Sequence, residues 1–337
     1  MGPVQSVGIL PWLSLRKPVS VGDVTFYPAA EAIALLGDRG PLLADRIQIY
    51  RNTWDDRIAD SAIALHDRQL HEGGQAPHSE LIRARDILLT AAMFENDAPV
   101  QYANATTFTL IVQKLGGESG FIATKSRRRN GSVTAGSTTT DLRVPRPAWC
   151  GSYNGYNKEL LHALVGATAR EDVWRLFDAL EWLRRASTDA DDVDRAVDLV
   201  LMLTAVDFLL AHPGTRQGPL DQKRIKELLK PFNTLPAQIH KGEARTQIQA
   251  VFYVLNKTRN AMVHPQPPKP EPPYPFEQRQ EFTFDWIADR SFMALLVARL
   301  VELGCVAFAT TRTSLCRRCG TVDCRTERRA RENGPRQ

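Results

Sequence analysis

Hydrophobic positions change their period partway along the chain. In the first half they come in short runs. Val24-Thr25-Phe26-Tyr27 is a β-prone run closed by Pro28, and Thr107–Gln113 (TFTLIVQ) also reads as a strand. Between them Leu81, Ile82, Ala84, Ile87, Leu88 and Ala91 recur at steps of three and four, which predicts a helix over Ser79–Phe94. Phe121–Arg128 and Ser132–Val144 flank Asn130-Gly131, two residues that tolerate positive φ, so this stretch predicts a hairpin. Pro145 to Asn157 has no period and is rich in Pro, Gly, Tyr and Asn, which marks a domain boundary.

Beyond the boundary the period is helical. Arg170–Ala186 carries Val173, Leu176, Phe177, Leu180 and Leu183 on one stripe. Asp189–Ala211 predicts a second helix, stopped by His212-Pro213-Gly214, and Asp221–Lys230 a third, ended by Pro231. Glu243–Val263 predicts a fourth, bounded by Pro265 because the residue before proline is pushed out of the α region. Pro265–Pro275 holds seven prolines in eleven residues and must be extended. Phe284–Thr310 predicts a fifth helix, long and mostly apolar. The expected fold class is α+β: a mixed α/β accessory domain at 1–154, an all-α domain at 155–311, and a basic cysteine-containing tail at 312–337.

Composition narrows the class without naming a chemistry. Of 337 residues, 43% are apolar and 24% charged, ordinary values for a globular protein that exclude collagen-like and wholly disordered chains. Five cysteines, odd in number and clustered late, exclude a disulfide scaffold. Ala196–Ala211 is too short to span a membrane and carries Asp198 and Asp207. Phe292–Ala309 carries Arg299 and Glu302, and an arginine near a bilayer centre costs about 2.5–3.5 kcal/mol. Met1–Leu15 lacks a basic segment ahead of its apolar residues. A cytoplasmic protein with no membrane partner is expected. The net charge of +5 resides in the tail, where eight arginines face only Asp323, Glu327 and Glu332. Such a tail attracts RNA or another acidic surface.

The fourth helix holds the densest chemistry. At about 100° per residue, Ile248, Phe252, Leu255 and Met262 fall within about 40° of one line, and Arg259 falls in the middle of that stripe. A permanently charged guanidinium on a core-facing stripe is costly unless it is paired or binds an anion. Asn260 and His264 lie four apart on a different face, with Tyr253 above them. Exposed carbonyls and the dipole at the helix end favour a proton on His264. The set suits phosphate chemistry. It equally suits a buried arginine with an acidic partner and a histidine that caps the helix.

Arg259-Asn260-Ala-Met-Val-His264 resembles the RNxxxH motif of HEPN domains (higher eukaryotes and prokaryotes nucleotide-binding). Ala179-Leu-Glu-Trp-Leu-Arg-Arg-Ala186 is similar to the first helix of the Apea-like HEPN branch. Leu203-Thr-Ala-Val-Asp-Phe-Leu-Leu210 is similar to the helix where that branch has Ala-Leu-Glu, with Val206-Asp207 standing for Leu-Glu. The resemblance spans 155–311. It implies a helical bundle that forms a homodimer, with the motif helices of two chains lining one cleft. It also implies a metal-independent endoribonuclease (a hydrolase and nuclease) of toxin–antitoxin or antiviral defence type. RNA would be its substrate, an antitoxin or defence-system protein its partner, and catalysis would need no cofactor. Carried over, Arg259 stabilises the phosphate, His264 moves protons and Asn260 orients the site. Other members bind nucleotide, RNA or a partner protein without catalysis, and that is the alternative. On one straight helix Arg259 and His264 stand about 140° apart, which a cleft shared by two chains would relieve. The apolar length of Phe284–Thr310 points the same way. Asp207 is expected to face and hold Arg259, or else to be a partly exposed acid near a helix end.

Weaker signals surround this set. Cys316, Cys319 and Cys324 have zinc-like spacing, and CxxCG resembles half of a zinc ribbon. A closed structural zinc needs a fourth ligand, for which Cys305 or Asp323 are candidates; reduced thiols are the alternative. Arg127, Arg128 and Arg129 precede the Asn130-Gly131 turn and form either a basic tip for RNA phosphates or a solvated turn. His66, His71 and His78 match no metal motif and read as loop histidines. No Walker A loop, GxGxxG, HExxH or GxSxG occurs.

Overall fold

A computed structural model describes residues 5–48, 50–51, 61–67, 78–94, 105–115, 123–127, 133–137, 142–143, 155–173, 175–187, 195–211, 222–229, 238–240, 243–245, 252, 260 and 284–305. The chain divides into two units, Met1–Leu161 with Ser187–Ala190, and His162–Ala186 with Asp191–Gln337. The described residues are α+β, with most of the helix in the second unit.

The first unit is built on an antiparallel sheet. Its strands are β1 (Gln5–Leu10), β2 (Val19–Val21), β3 (Val24–Pro28), β5 (Ala62–His66) and β6 (Ile111–Leu115), in the order β2-β3-β5-β1-β6. Strand side chains alternate between faces. Val7, Ile9, Ile63, Leu65 and Leu115 share a core with Ala32 of α1 (Ala29–Leu35) and with Leu43 and Ile47 of α2 (Gly40–Gln48). Ala62, Ala64 and His66 point to the opposite face, where α3 (His78–Met93) packs on β2, β3 and β5. Gly8 pairs with Ala64, and a side chain there would meet Leu110 Cδ1 at 2.7 Å, so this close approach requires glycine.

The expected strand at Thr107–Gln113 begins later, at Ile111. Thr109 donates both its amide, at 3.1 Å, and its hydroxyl, at 2.7 Å, to the Thr106 carbonyl, which closes a turn. The expected hairpin is present: β7 (Ala123–Arg127) pairs antiparallel with β8 (Val133–Ser137), Arg127 opposite Val133. Two-residue strands β4 (Tyr50–Arg51) and β9 (Leu142–Arg143) pair in parallel.

Helix α4 (Lys158–Thr168) has no counterpart in the sequence reading, although Asn157 caps it by accepting the Leu160 amide at 3.0 Å. Helix α5 covers only Leu176–Arg185 of the expected 170–186, because Arg175 is left-handed, with φ 56°. It packs against α6 (Arg195–Leu210), which also meets α8 (Phe284–Glu302); α7 (Gln222–Leu229) packs on α8. The all-helical expectation fails at 238–245, where β10 (Gln238–His240) and β11 (Glu243–Arg245) pair antiparallel, His240 opposite Glu243. Only Lys241-Gly242 separates them, the sequence of a glycine-bearing two-residue hairpin. Helix α8 stops at Glu302 rather than Thr310. Gly304 has φ +69°, and the amides of Cys305 and Gly304 reach the carbonyls of Leu300 and Val301 at 2.8 and 2.9 Å, a left-handed glycine stop.

Candidate functional site

Most of the motif residues lie outside the described residues: Arg259, His264, Tyr253, Arg128, Arg129, Cys316, Cys319 and Cys324. Two positions of the motif helix are described. Phe252 is helical and fully buried, and Asn260 is helical and exposed. The stripe predicted both states. Phe252 lies on it, and Asn260 is about 80° further round. Arg127 is the last residue of β7.

Asp207 is half-buried on α6 and has an interaction partner. His66 is not a loop histidine. It ends β5, is 1% exposed, and its Nε2 lies 2.5 Å from Glu80 Oε2 in the first turn of α3. Strand alternation turns it onto the face that α3 covers, so a buried imidazole meets a half-exposed carboxylate. His78 opens α3. Residues Phe292 to Leu300 of α8 are all buried within one chain. The apolar length of this helix is therefore satisfied internally and no longer argues for a second chain.

Three further polar clusters are ordered. Tyr50 accepts a hydrogen bond from Gln113 Nε2 at 2.7 Å, and burial pushes its hydroxyl pKa up to about 12 against the lowering effects of Gln113 and Arg46. This hydroxyl stays protonated at neutral pH and serves the core. Arg170 donates to the Leu303 carbonyl and lies 3.6 Å from Cys305 Sγ, placing a cation at the C-terminal end of α8, where the dipole favours it. Cys305 is half-buried, and among the described residues no group of three acidic, histidine or cysteine side chains is arranged to hold a metal. Glu302 receives Arg224 of α7 and the buried Arg299 of its own helix, which ties α7 to α8.

One arrangement went unread in the sequence. The Arg175 guanidinium lies 5.1 Å from the Phe208 ring centre, Phe208 stacks on Trp182 at 6.2 Å and 29°, and Arg185 lies 4.6 Å from the Trp182 ring centre. The legible part was Trp182 and Arg185 three apart on a helix. Arg175 breaks several local rules at once. Among the described residues it is the one non-glycine residue with positive φ, it occupies a helix N-cap with no side-chain capping bond, and it brings a cation to the positive end of the dipole. The backbone strain costs about 1–3 kcal/mol and the dipole about 0.3–1 kcal/mol. A half-exposed cation–π contact returns about 0.5–1 kcal/mol. Packing energy alone does not account for an arginine here.

Among the described residues no helix is long and apolar enough to cross a membrane. No known protein family, no curated protein and no solved structure matches the chain.

Proposed function

We propose that the chain is a metal-independent endoribonuclease of toxin or anti-phage defence type. Its helical unit would be a HEPN bundle that pairs with a second copy, and its first unit would sense a trigger or select the RNA. The observation that carries this reading is the split on the motif helix: Phe252 fully buried, Asn260 exposed. A helix that seats its apolar stripe in the core leaves the Asn260 side open to a ligand. By the sequence period, His264 falls about 40° from Asn260 on that side. Arg259 falls on the stripe, where a guanidinium calls for an anion or a carboxylate.

The chemistry follows from these side chains. The RNA 2′-OH is the nearest nucleophile. It loses its proton, bonds to phosphorus, and the P–O5′ bond breaks with a proton delivered to the leaving 5′-oxygen. His264 of one chain takes or gives one of these protons, and the same residue of the paired copy, or Tyr253, handles the other. Arg259 holds the charge that builds on the phosphate, as a metal does elsewhere. Asn260 orients the site. An antitoxin or defence-system protein would restrain it, and the 312–337 tail would raise RNA affinity.

Cleavage of RNA should persist in excess EDTA, and the rate per chain should fall on dilution as paired copies separate. A gel assay on the purified protein checks both. Complete loss of activity in EDTA contradicts the reading and moves attention to the Cys316, Cys319 and Cys324 cluster.

A further inference from the structure

We propose that Arg175, Phe208, Trp182 and Arg185 form a base-stacking platform for single-stranded RNA, separate from the Arg259–His264 set. The choice of RNA rests on the ribonuclease reading above, whereas the platform rests on the stack itself. Two guanidinium groups close a Phe–Trp pair at either end, at 5.1 and 4.6 Å from the ring centres. Bases stack on guanidinium planes and on aromatic rings alike, with little regard to sequence.

The stack is open to a ligand. Trp182, Phe208 and Arg175 are half-buried, and the Arg185 side chain is 44% exposed. The packing seam between α5 and α6 is supplied by other residues, such as Leu180, Leu183, Val206 and Leu209, all fully or almost fully buried. Glu181, one turn back on α5, pairs with Arg185 and fixes its plane before any base arrives. The strained, uncapped Arg175 at the other end lacks an account in fold stability and gains one as the second stacking surface. Departures from local rules of this kind concentrate where function demands them. The cations complement the phosphate backbone. A duplex keeps its bases stacked on one another, so the platform selects single strands.

The test uses the full-length His264→Ala protein, so that RNA is bound and not cut. A short fluorescent oligoadenylate and a duplex of equal length are titrated by anisotropy. Arg185→Lys keeps the charge and removes the plane. It should weaken oligoadenylate binding about tenfold, the scale of one lost base stack, with the salt slope and duplex affinity unchanged. Trp182→Leu should act in the same direction, and circular dichroism checks its fold; Arg185→Lys, at an exposed position, carries the test if that variant does not fold. Equal affinity in Arg185→Lys and its parent overturns the platform, as does a loss confined to Arg185→Gln, which would mark a charge contact only. A parent that binds no oligoadenylate overturns it as well. Failure of the ribonuclease reading would show separately, as wild-type protein that binds the oligomer and never cuts it.

Discussion

Replacing His264 by alanine should slow RNA cleavage by about 10²–10⁴-fold, the usual contribution of a positioned general acid or base. Arg259→Ala should cost about 10²–10³-fold, as when a single stabiliser of transition-state charge is removed. Neither change should unfold the chain. His264 sits where the predicted helix gives way to Pro265, so its loss empties no core position. Arg259 falls on the apolar stripe, where replacing a costly buried charge is often neutral or stabilising. Cleavage rates alongside thermal melts separate the two quantities. Wild-type rates in both variants would show that the set is structural.

Glu302→Ala should destabilise the helical unit by about 3 kcal/mol, because it strips the partner from a buried charge. Arg299 is 4% exposed and donates to Glu302, which also receives Arg224 from α7. Burial alone would raise the Glu302 pKa, but the two guanidinium groups outweigh it and hold the carboxyl below its ordinary value of 4.5. A folded pKa below the unfolded one gives stability that is present above the unfolded value and lost as pH falls through the folded one. The wild type should therefore lose this contribution below about pH 4.5, the ordinary glutamate range. Glu302→Gln, with no carboxyl to titrate, should lack that part of the acid dependence. Denaturant melts at neutral and acid pH check both, and an undiminished midpoint in Glu302→Ala would show that Arg299 is satisfied without it.

The parts of the fold that were legible in the sequence are those where one signal acts alone. Leu81, Ala84, Leu88 and their neighbours fix α3, and Asn130-Gly131 fixes the pairing of β7 with β8. The misreadings arise where two signals compete. Thr106 to Thr109 looks like a β-branched strand, but a threonine hydroxyl that can reach a backbone carbonyl favours a turn. Gln238 to Arg245 looked like the approach to a helix, and the Lys241-Gly242 pair went unweighed. Asn157 was read as the end of a loop when it is the cap of α4. His66 was read by its polar neighbours, while its partner Glu80 comes from another element, which spacing alone does not reveal.

For the candidate site, sequence period anticipated the burial of Phe252 and the exposure of Asn260. It did not anticipate the stack of Arg175, Phe208, Trp182 and Arg185. Half of that stack comes from α5 and its N-cap and the rest from α6, and the left-handed turn that aims Arg175 has no signature in an arginine.

The most direct measurement is the product chemistry on an RNA oligomer that carries a single 2′-deoxy nucleotide at the cleaved position, run beside the all-ribose oligomer in EDTA. The all-ribose strand should yield a 2′,3′-cyclic phosphate and a 5′-hydroxyl, and the substituted strand should stay intact at that bond. Cleavage of the substituted strand at a similar rate, or a 3′-hydroxyl and 5′-phosphate on the products, would mean that water attacks instead of the 2′-OH and would contradict the account.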